Sequence, residues 1–252
     1  MKSWKKWIAY GSVTICLIVC GALVISWVKD ERKQAEAVDI YEELQEEHTS
    51  VLGSVELNAE GLLKIPVDFE ALHEVNEDIY AWIDIEDTNV HYPILQSATD
   101  DSYYLEHTVD RKAGLPGSIY TESVNKKDFS DYMTLVYGHD MRDGSMFKHL
   151  HKFRDKEFFD THDTVMIYTE NESLTYKVLA AVAYTNEHIM YKYDQNVAAD
   201  REAFVDSLYE MKNSRNQYRE GVEVDEESKF VVLSTCITGQ PDKRWIVVCV
   251  KQ

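Results

Sequence analysis

The two apolar runs that close the chain constrain its fold more than any other feature. KFVVLSTC ends at Cys236, the polar loop ITGQPDK follows, and Arg244 opens RWIVVCV. Two β-branched runs around a short polar loop predict an antiparallel hairpin. A register that sets Cys236 opposite Arg244 also sets Val231 opposite Cys249. The two thiols then stand about five residues apart along the sheet, on the order of 17 Å, which is beyond disulfide reach. Directly opposed residues share a face, so Cys236 and Arg244 are expected side by side at the strand ends. A guanidinium there favours a thiolate and offers donors to an oxyanion. Cys249, inside IVVCV, reads as a core thiol.

The opposite end of the chain decides the compartment. Ile8 to Val28 is 21 residues without a charge. At about 1.5 Å per residue this run covers the roughly 30 Å of a bilayer core, so an uncleaved transmembrane helix is expected. A signal peptide has a shorter apolar region of about 7 to 15 residues, and the A-x-A match at Ala35 and Ala37 lies beyond the charged KDERK. Lys2, Lys5 and Lys6 precede the run, which places the N-terminus in the cytoplasm and the bulk of the chain outside. Cys16 and Cys20 fall within the span. In an oxidising compartment Cys236 and Cys249 would ordinarily pair, and it is the hairpin register that argues against it.

Charge narrows the partners. The first 33 residues carry +4, whereas the remainder carries −23. A surface that acidic repels phosphates, so nucleic acid is excluded as a partner. With 44% hydrophobic residues, the exported part has ample material for a core.

Four segments are expected: a cytoplasmic N-terminus (1–7), the anchor (8–28), a juxtamembrane helix and linker (29–66), and a globular domain (67–252). Within 29–48, Val38, Tyr41 and Leu44 recur at helical spacing, suiting a stalk, and 51–66 reads as linker. Asp68 can cap a short helix carrying Phe69, Leu72 and Val75 on one face. AWIDI and VHYPIL read as strands around EDTN. A short polar helix is expected near 100–106. SIYT and YMTLVYG are further strands, and Met146, Phe147 and Leu150 mark a helix after them. TVMIYTENESLTYKVLAAVAYT is a hairpin, and an amphipathic helix over 200–212 turns Phe204, Val205, Leu208 and Met211 inward. About eight short strands without regular β-α-β alternation predict a mainly β barrel or sandwich.

A cysteine nucleophile needs a histidine. His139 follows the apolar TLVY and Gly138 at a strand end where a loop opens, the usual place for site residues. His149 and His151 stand two apart on a predicted helix and read as surface positions. No zinc spacing, phosphate-binding loop or dinucleotide fingerprint occurs, and no cofactor or metal is expected.

Taken together, the anchor, VYGHDM, SMFKHLHKF, the helix before the last strands, and LSTC followed by Arg244 resemble a class B sortase, from about Val75 to the C-terminus. Such enzymes are cell-surface cysteine transpeptidases of mostly Gram-positive bacteria. The resemblance implies a closed eight-stranded β-barrel with peripheral helices behind an N-terminal transmembrane helix. It makes Cys236 the nucleophile, His139 the acid/base partner, and Arg244 of the D-x-R at Asp242 the stabiliser of substrate and oxyanion. Tyr137, Ser234 and Thr235 match positions that line or support the cleft, and Asn125 corresponds to an Asn near the site.

The implied reaction is acyl transfer from a sorting motif of a secreted protein, cleaved after Thr, to an amine on a peptidoglycan precursor or a pilin. Relatives often carry residues such as T-Y-E-F after the cysteine. Here Ile237, Thr238, Gly239 and Gln240 take their place, in a loop bordering the cleft. Two alternatives stay open: a thiol protease that passes the thioester to water, and a silent surface-binding domain in which Cys236 is structural.

Overall fold

The computed structural model describes residues 3–48 and 65–252; side chains are described from residue 19 onward, apart from 30, 33, 34 and 48. The linker expected over 51–66 lies, up to residue 64, outside the described residues. So do the side chains of residues 8–18 in the expected membrane span. Among the described residues, no helix is long and apolar enough to cross a membrane.

In chain order the elements are α1 (Ser3–His48), α2 (Phe69–Val75), β1 (Ile79–Asp84), β2 (His91–Leu95), β3 (Ile119–Tyr120), β4 (Met133–Tyr137), a 3-10 segment (Phe147–Arg154), α3 (Lys156–Thr161), β5 (Thr164–Tyr168), β6 (Ser173–Thr185), α4 (Ile189–Lys192), α5 (Ala198–Glu210), β7 (Gln217–Tyr218), β8 (Phe230–Cys236) and β9 (Lys243–Lys251). The strands run β5-β1-β2-β3-β4-β8-β9-β6, and β6 returns to pair with β5. Eight strands therefore close on themselves as a barrel, leaving no open edge in the ring. The short β7 adds to β6 outside it. The 13-residue β6 serves both β5 and β9, with a register shift between Val178 and Ala180 where it bends.

The closing hairpin has the expected register: Cys236 opposes Arg244 and Val231 opposes Cys249. Both cysteines are free. Strand alternation sorts the side chains into two cores. Val231, Leu233, Trp245, Val247 and Cys249 join Trp82 and Ile83 in one cluster, which fills the barrel. Phe230, Val232, Ile246 and Val248 pack outward with Leu135, under Phe204 and Leu208 of α5. Burial pushes the Cys249 thiol far up, so it stays protonated.

Local expectations hold with four corrections. Asp68 caps α2 by accepting from the Ala71 amide at 3.1 Å, but Val75 is exposed. The helix expected near 100–106 shrinks to a 3-10 turn at Tyr103–Leu105. The segment after Met146 is 3-10 rather than α, and Met146 itself sits at its N-cap with φ 55. In α5, Ser207 takes a buried place, with its hydroxyl 2.6 Å from the Tyr184 hydroxyl, while Met211 stays at the margin.

The largest departure concerns α1. Its C-terminal end is no free stalk: Ala37, Tyr41 and Leu44 are buried against the barrel. The Tyr41 hydroxyl donates to the Gly117 carbonyl at 2.6 Å, accepts from the Val109 amide at 3.0 Å, and lies 2.9 Å from Ser118 Oγ.

Candidate active site

Three neighbouring strands end together and present one row of side chains. β4 and β8 are parallel, with Tyr137 beside Ser234, and Ser234 in turn opposes Ile246 of β9. These three share the outer face. Beyond this row Cys236 opposes Arg244, and His139 follows the end of β4 by two residues, so chemistry concentrates where the strands give way to loops. Cys236 is exposed and borders a cleft of about 240 Å³ together with His139, Arg244, Tyr137, Ser234 and Thr235. Thr235, out of phase with its neighbours, is buried, with Oγ1 lacking a hydrogen-bond partner among the described residues.

His139 is oriented from behind. Its Nε2 lies 2.7 Å from the Leu105 carbonyl oxygen. A carbonyl only accepts, so Nε2 carries the proton and Nδ1 is left to exchange one. Space around the ring is set by two glycines. A Cβ on Gly138 would stand 2.8 Å from the Phe147 ring and also strike Ile119. Gly117, at φ +67, backs onto the Tyr104 and Leu105 carbonyls and the His139 ring. A larger residue at Gly117 would press on the histidine ring, and one at Gly138 would press on Phe147 and Ile119.

Arg244 Nη1 donates to the Lys243 and Pro241 carbonyls at 2.9 and 3.3 Å, which fixes the guanidinium at the cleft rim. The loop before α4 is tied to the same turn, since the Asn186 amide donates to the Asp242 carbonyl at 3.1 Å. Across the cleft the Tyr137 hydroxyl lies 3.4 Å from His188 Nε2, which also meets Glu122 Oε2 at 2.7 Å. Burial raises the Glu122 carboxyl, with His188 pulling the other way. Tyr120 stacks on Tyr137 at 5.4 Å, completing an aromatic wall.

Asn125 is placed elsewhere. It is buried, its Nδ2 donating to the Met133 carbonyl at 2.7 Å and its Oδ1 accepting from the Leu135 amide at 3.0 Å. Both groups serve the β4 backbone, and Asn125 is not among the residues that line the cleft.

A second set of residues beneath Cys236 has no counterpart in the sequence reading. Asp140 is buried and accepts from Lys148 Nζ at 2.7 Å and from Thr238 Oγ1 at 2.8 Å. Burial pushes its carboxyl up, but Lys148, Thr238 and His151 outweigh that and hold it below the ordinary range. His151 Nε2 donates to the Cys236 carbonyl at 3.0 Å. Far from lying on the surface, the His151 side chain is 13% exposed. Burial and the neighbouring Arg154 lower its pKa, so it is neutral. The available signal was Asp140 directly after His139, but its partner Thr238 is 98 positions away.

A family model described as the sortase domain matches residues 83–252, and the chain belongs to the sortase family, a family of cysteine transpeptidases. Its similarity within that family is to class B. The sortase B of Listeria monocytogenes is 35% identical over 167 residues, which is 66% of this chain and 66% of that one. A Streptococcus pyogenes class B sortase involved in pilus biogenesis superposes with a TM-score of 0.64 at 30% identity, covering 75% of this chain and all of that one. A sortase B solved in complex with triglycine is 26% identical, with a TM-score of 0.63, and is matched over 73% of this chain and 85% of its own.

Proposed function

We propose that the chain is a membrane-anchored transpeptidase that cleaves a sorting motif of secreted proteins after Thr and passes the acyl group to an amine. One observation carries the reading: His139, just past the end of β4, borders one cleft with Cys236 and Arg244, the opposed pair at the ends of β8 and β9. In the first half-reaction the Cys236 thiolate attacks the carbonyl carbon after Thr. The C–N bond breaks, His139 gives its proton to the departing amine, and a thioester remains. In the second half an incoming amine attacks the thioester carbonyl, His139 takes the proton, and Cys236 leaves as thiolate. Arg244 donates to the oxyanion that forms in both halves.

Tyr137 and Ser234 flank the scissile segment, and Thr235 supports the nucleophile from the barrel side. Asn125 acts at one remove, by holding β4, the strand that leads to His139. Residues 8–28 anchor the enzyme, with residues 1–7 in the cytoplasm, 29–66 joining the anchor to the barrel, and 67–252 forming the catalytic domain outside. The uncharged run supports this placement. The acceptor is the amine of a peptidoglycan precursor or a pilin; the relative solved with triglycine makes a glycine-type amine the first to test.

A peptide library incubated with the full chain in detergent, with and without triglycine, tests the reading. Cleavage after Thr, with triglycine joined to the N-terminal fragment, is expected, and Cys236→Ala is expected to give neither product. Cleavage whose products never contain the added amine would make the enzyme a hydrolase instead.

A further inference from the structure

Arg154 and Arg215 line one cavity of about 370 Å³, and no acidic residue lines it with them. The cavity shares no lining residue with the cleft that holds His139, Cys236 and Arg244. The chain has a net charge of −19, so an arginine without a carboxylate partner stands out. Arg111 meets Glu77 and Asp78, while Arg201 and Arg219 donate to backbone carbonyls. Arg154 and Arg215 form no ion pair among the described residues, and Arg154 Nε is buried without a hydrogen-bond partner among them. Burial and the like charge of Arg215 both lower the Arg154 pKa from its ordinary value. Asp140 pulls the other way, but its carboxylate already accepts from Lys148 and Thr238.

The walls that bring the two cations together are fixed. Arg154 lies 4.7 Å over the Trp245 ring, and its carbonyl accepts from Gln217 Nε2 at 3.2 Å. The turn that carries Arg215 is tied to β6 through Asn216, whose Oδ1 accepts from the Ala183 amide at 2.9 Å and whose Nδ2 donates to the Met211 carbonyl at 3.0 Å. Neutral donors complete the lining. Asn213 spends its Oδ1 on the Arg215 amide at 2.9 Å, which leaves Nδ2 to donate, and Ser214 and Gln240 stand with it. Two guanidinium groups and three neutral donors exceed what the two oxygens of a carboxylate take up. A phosphoryl group, with three strongly accepting oxygens, matches the set.

We propose that this cavity is a binding site for a phosphoryl anion, held between Arg154 and Arg215 and touched by Gln240 from the loop that follows Cys236. A free phosphate and the headgroup of a phospholipid present the same chemistry, and the test separates them. The site stands independently of the transpeptidase reading.

The test is isothermal titration calorimetry on the full chain in a non-ionic detergent at fixed ionic strength. Inorganic phosphate is titrated in one arm and glycerophosphoglycerol, the soluble headgroup of phosphatidylglycerol, in the other. Saturable binding of one equivalent is expected, and the probe that binds more tightly identifies the source. Arg154→Met, which keeps an unbranched stem over Trp245, and Arg215→Glu, at an exposed position, are each expected to weaken that binding about tenfold or more. If Arg154→Met does not fold, Arg215→Glu decides alone. Arg142→Glu makes the same change in net charge outside the cavity and is expected to leave binding within about twofold. The proposal is overturned if neither probe binds, if Arg215→Glu binds within about twofold of the unaltered chain, or if Arg142→Glu loses as much as Arg215→Glu.

Discussion

Asp140 is one residue past His139, yet its carboxylate reaches Thr238 in the loop after Cys236. One buried side chain thus ties the loop that carries His139 to the loop that follows Cys236. Thr238 belongs to the ITGQ stretch that follows Cys236, and its hydroxyl has a structural use here. Removing the hydroxyl with Thr238→Val lets the two loops drift. Because small misplacements of reacting groups are costly, kcat/KM is expected to fall about tenfold in a peptide cleavage assay, with little change in melting temperature. Arg244→Lys keeps the charge and loses the fork that donates to the Lys243 and Pro241 carbonyls. Lysine's point charge cannot present the same planar array of donors to an oxyanion. A fall in kcat of about 10² or more is expected, with a smaller change in KM.

At the scale of elements, the 3-10 segment Phe147–Arg154 does more than fill space. Its Leu150 carbonyl accepts from Trp245 Nε1 at 2.8 Å, and Arg154 lies 4.7 Å over the Trp245 ring. Between them His151 supports the Cys236 carbonyl. Its Nδ1 is buried without a partner among the described residues, and its lowered pKa follows from that burial and from Arg154. The native state therefore binds a proton there less readily than the unfolded chain does. The stabilisation is fully present above the unfolded value of about 6.5 and is lost as pH falls through the lower folded value. Replacing the ring with His151→Gln keeps a donor and removes the titration. The drop in melting temperature between pH 7.5 and pH 5 is expected to be smaller in that variant than in the parent, by thermal unfolding at both values.

This segment also marks the boundary of what the chain discloses locally. The closing hairpin, its register and the fates of Cys236 and Cys249 were legible because the alternation in FVVLSTC and RWIVVCV is strong and the pairing is between neighbours in sequence. His139 was legible from its position at a strand end. Asp140, His151 and Thr238 were not, since their meeting depends on a parallel β4–β8 contact and a 3-10 turn that no local pattern specifies. Asn125 was read through a motif, and its hydrogen bonds place it under β4.

For the molecule as a whole, the C-terminal end of α1 joins the closed barrel through Ala37, Tyr41 and Leu44. The phenol is buried, burial holds it un-ionised, and it serves the Gly117 carbonyl, Ser118 and the Val109 amide together. Tyr41→Phe keeps the ring packing and leaves those groups without their partner. A loss of about 1–3 kcal/mol is expected, measured by denaturant unfolding, with α1 becoming more sensitive to protease than the barrel. The proposed reaction stands or falls on whether Cys236 carries the acyl group between a sorting motif and an amine, and intact-mass analysis during turnover reads that step itself. With peptide alone, an adduct of the N-terminal fragment's mass is expected; it maps to the Cys236 peptide and disappears, as the amide product, when triglycine is added. An adduct on another residue, or cleavage that continues undiminished in Cys236→Ala, would contradict it.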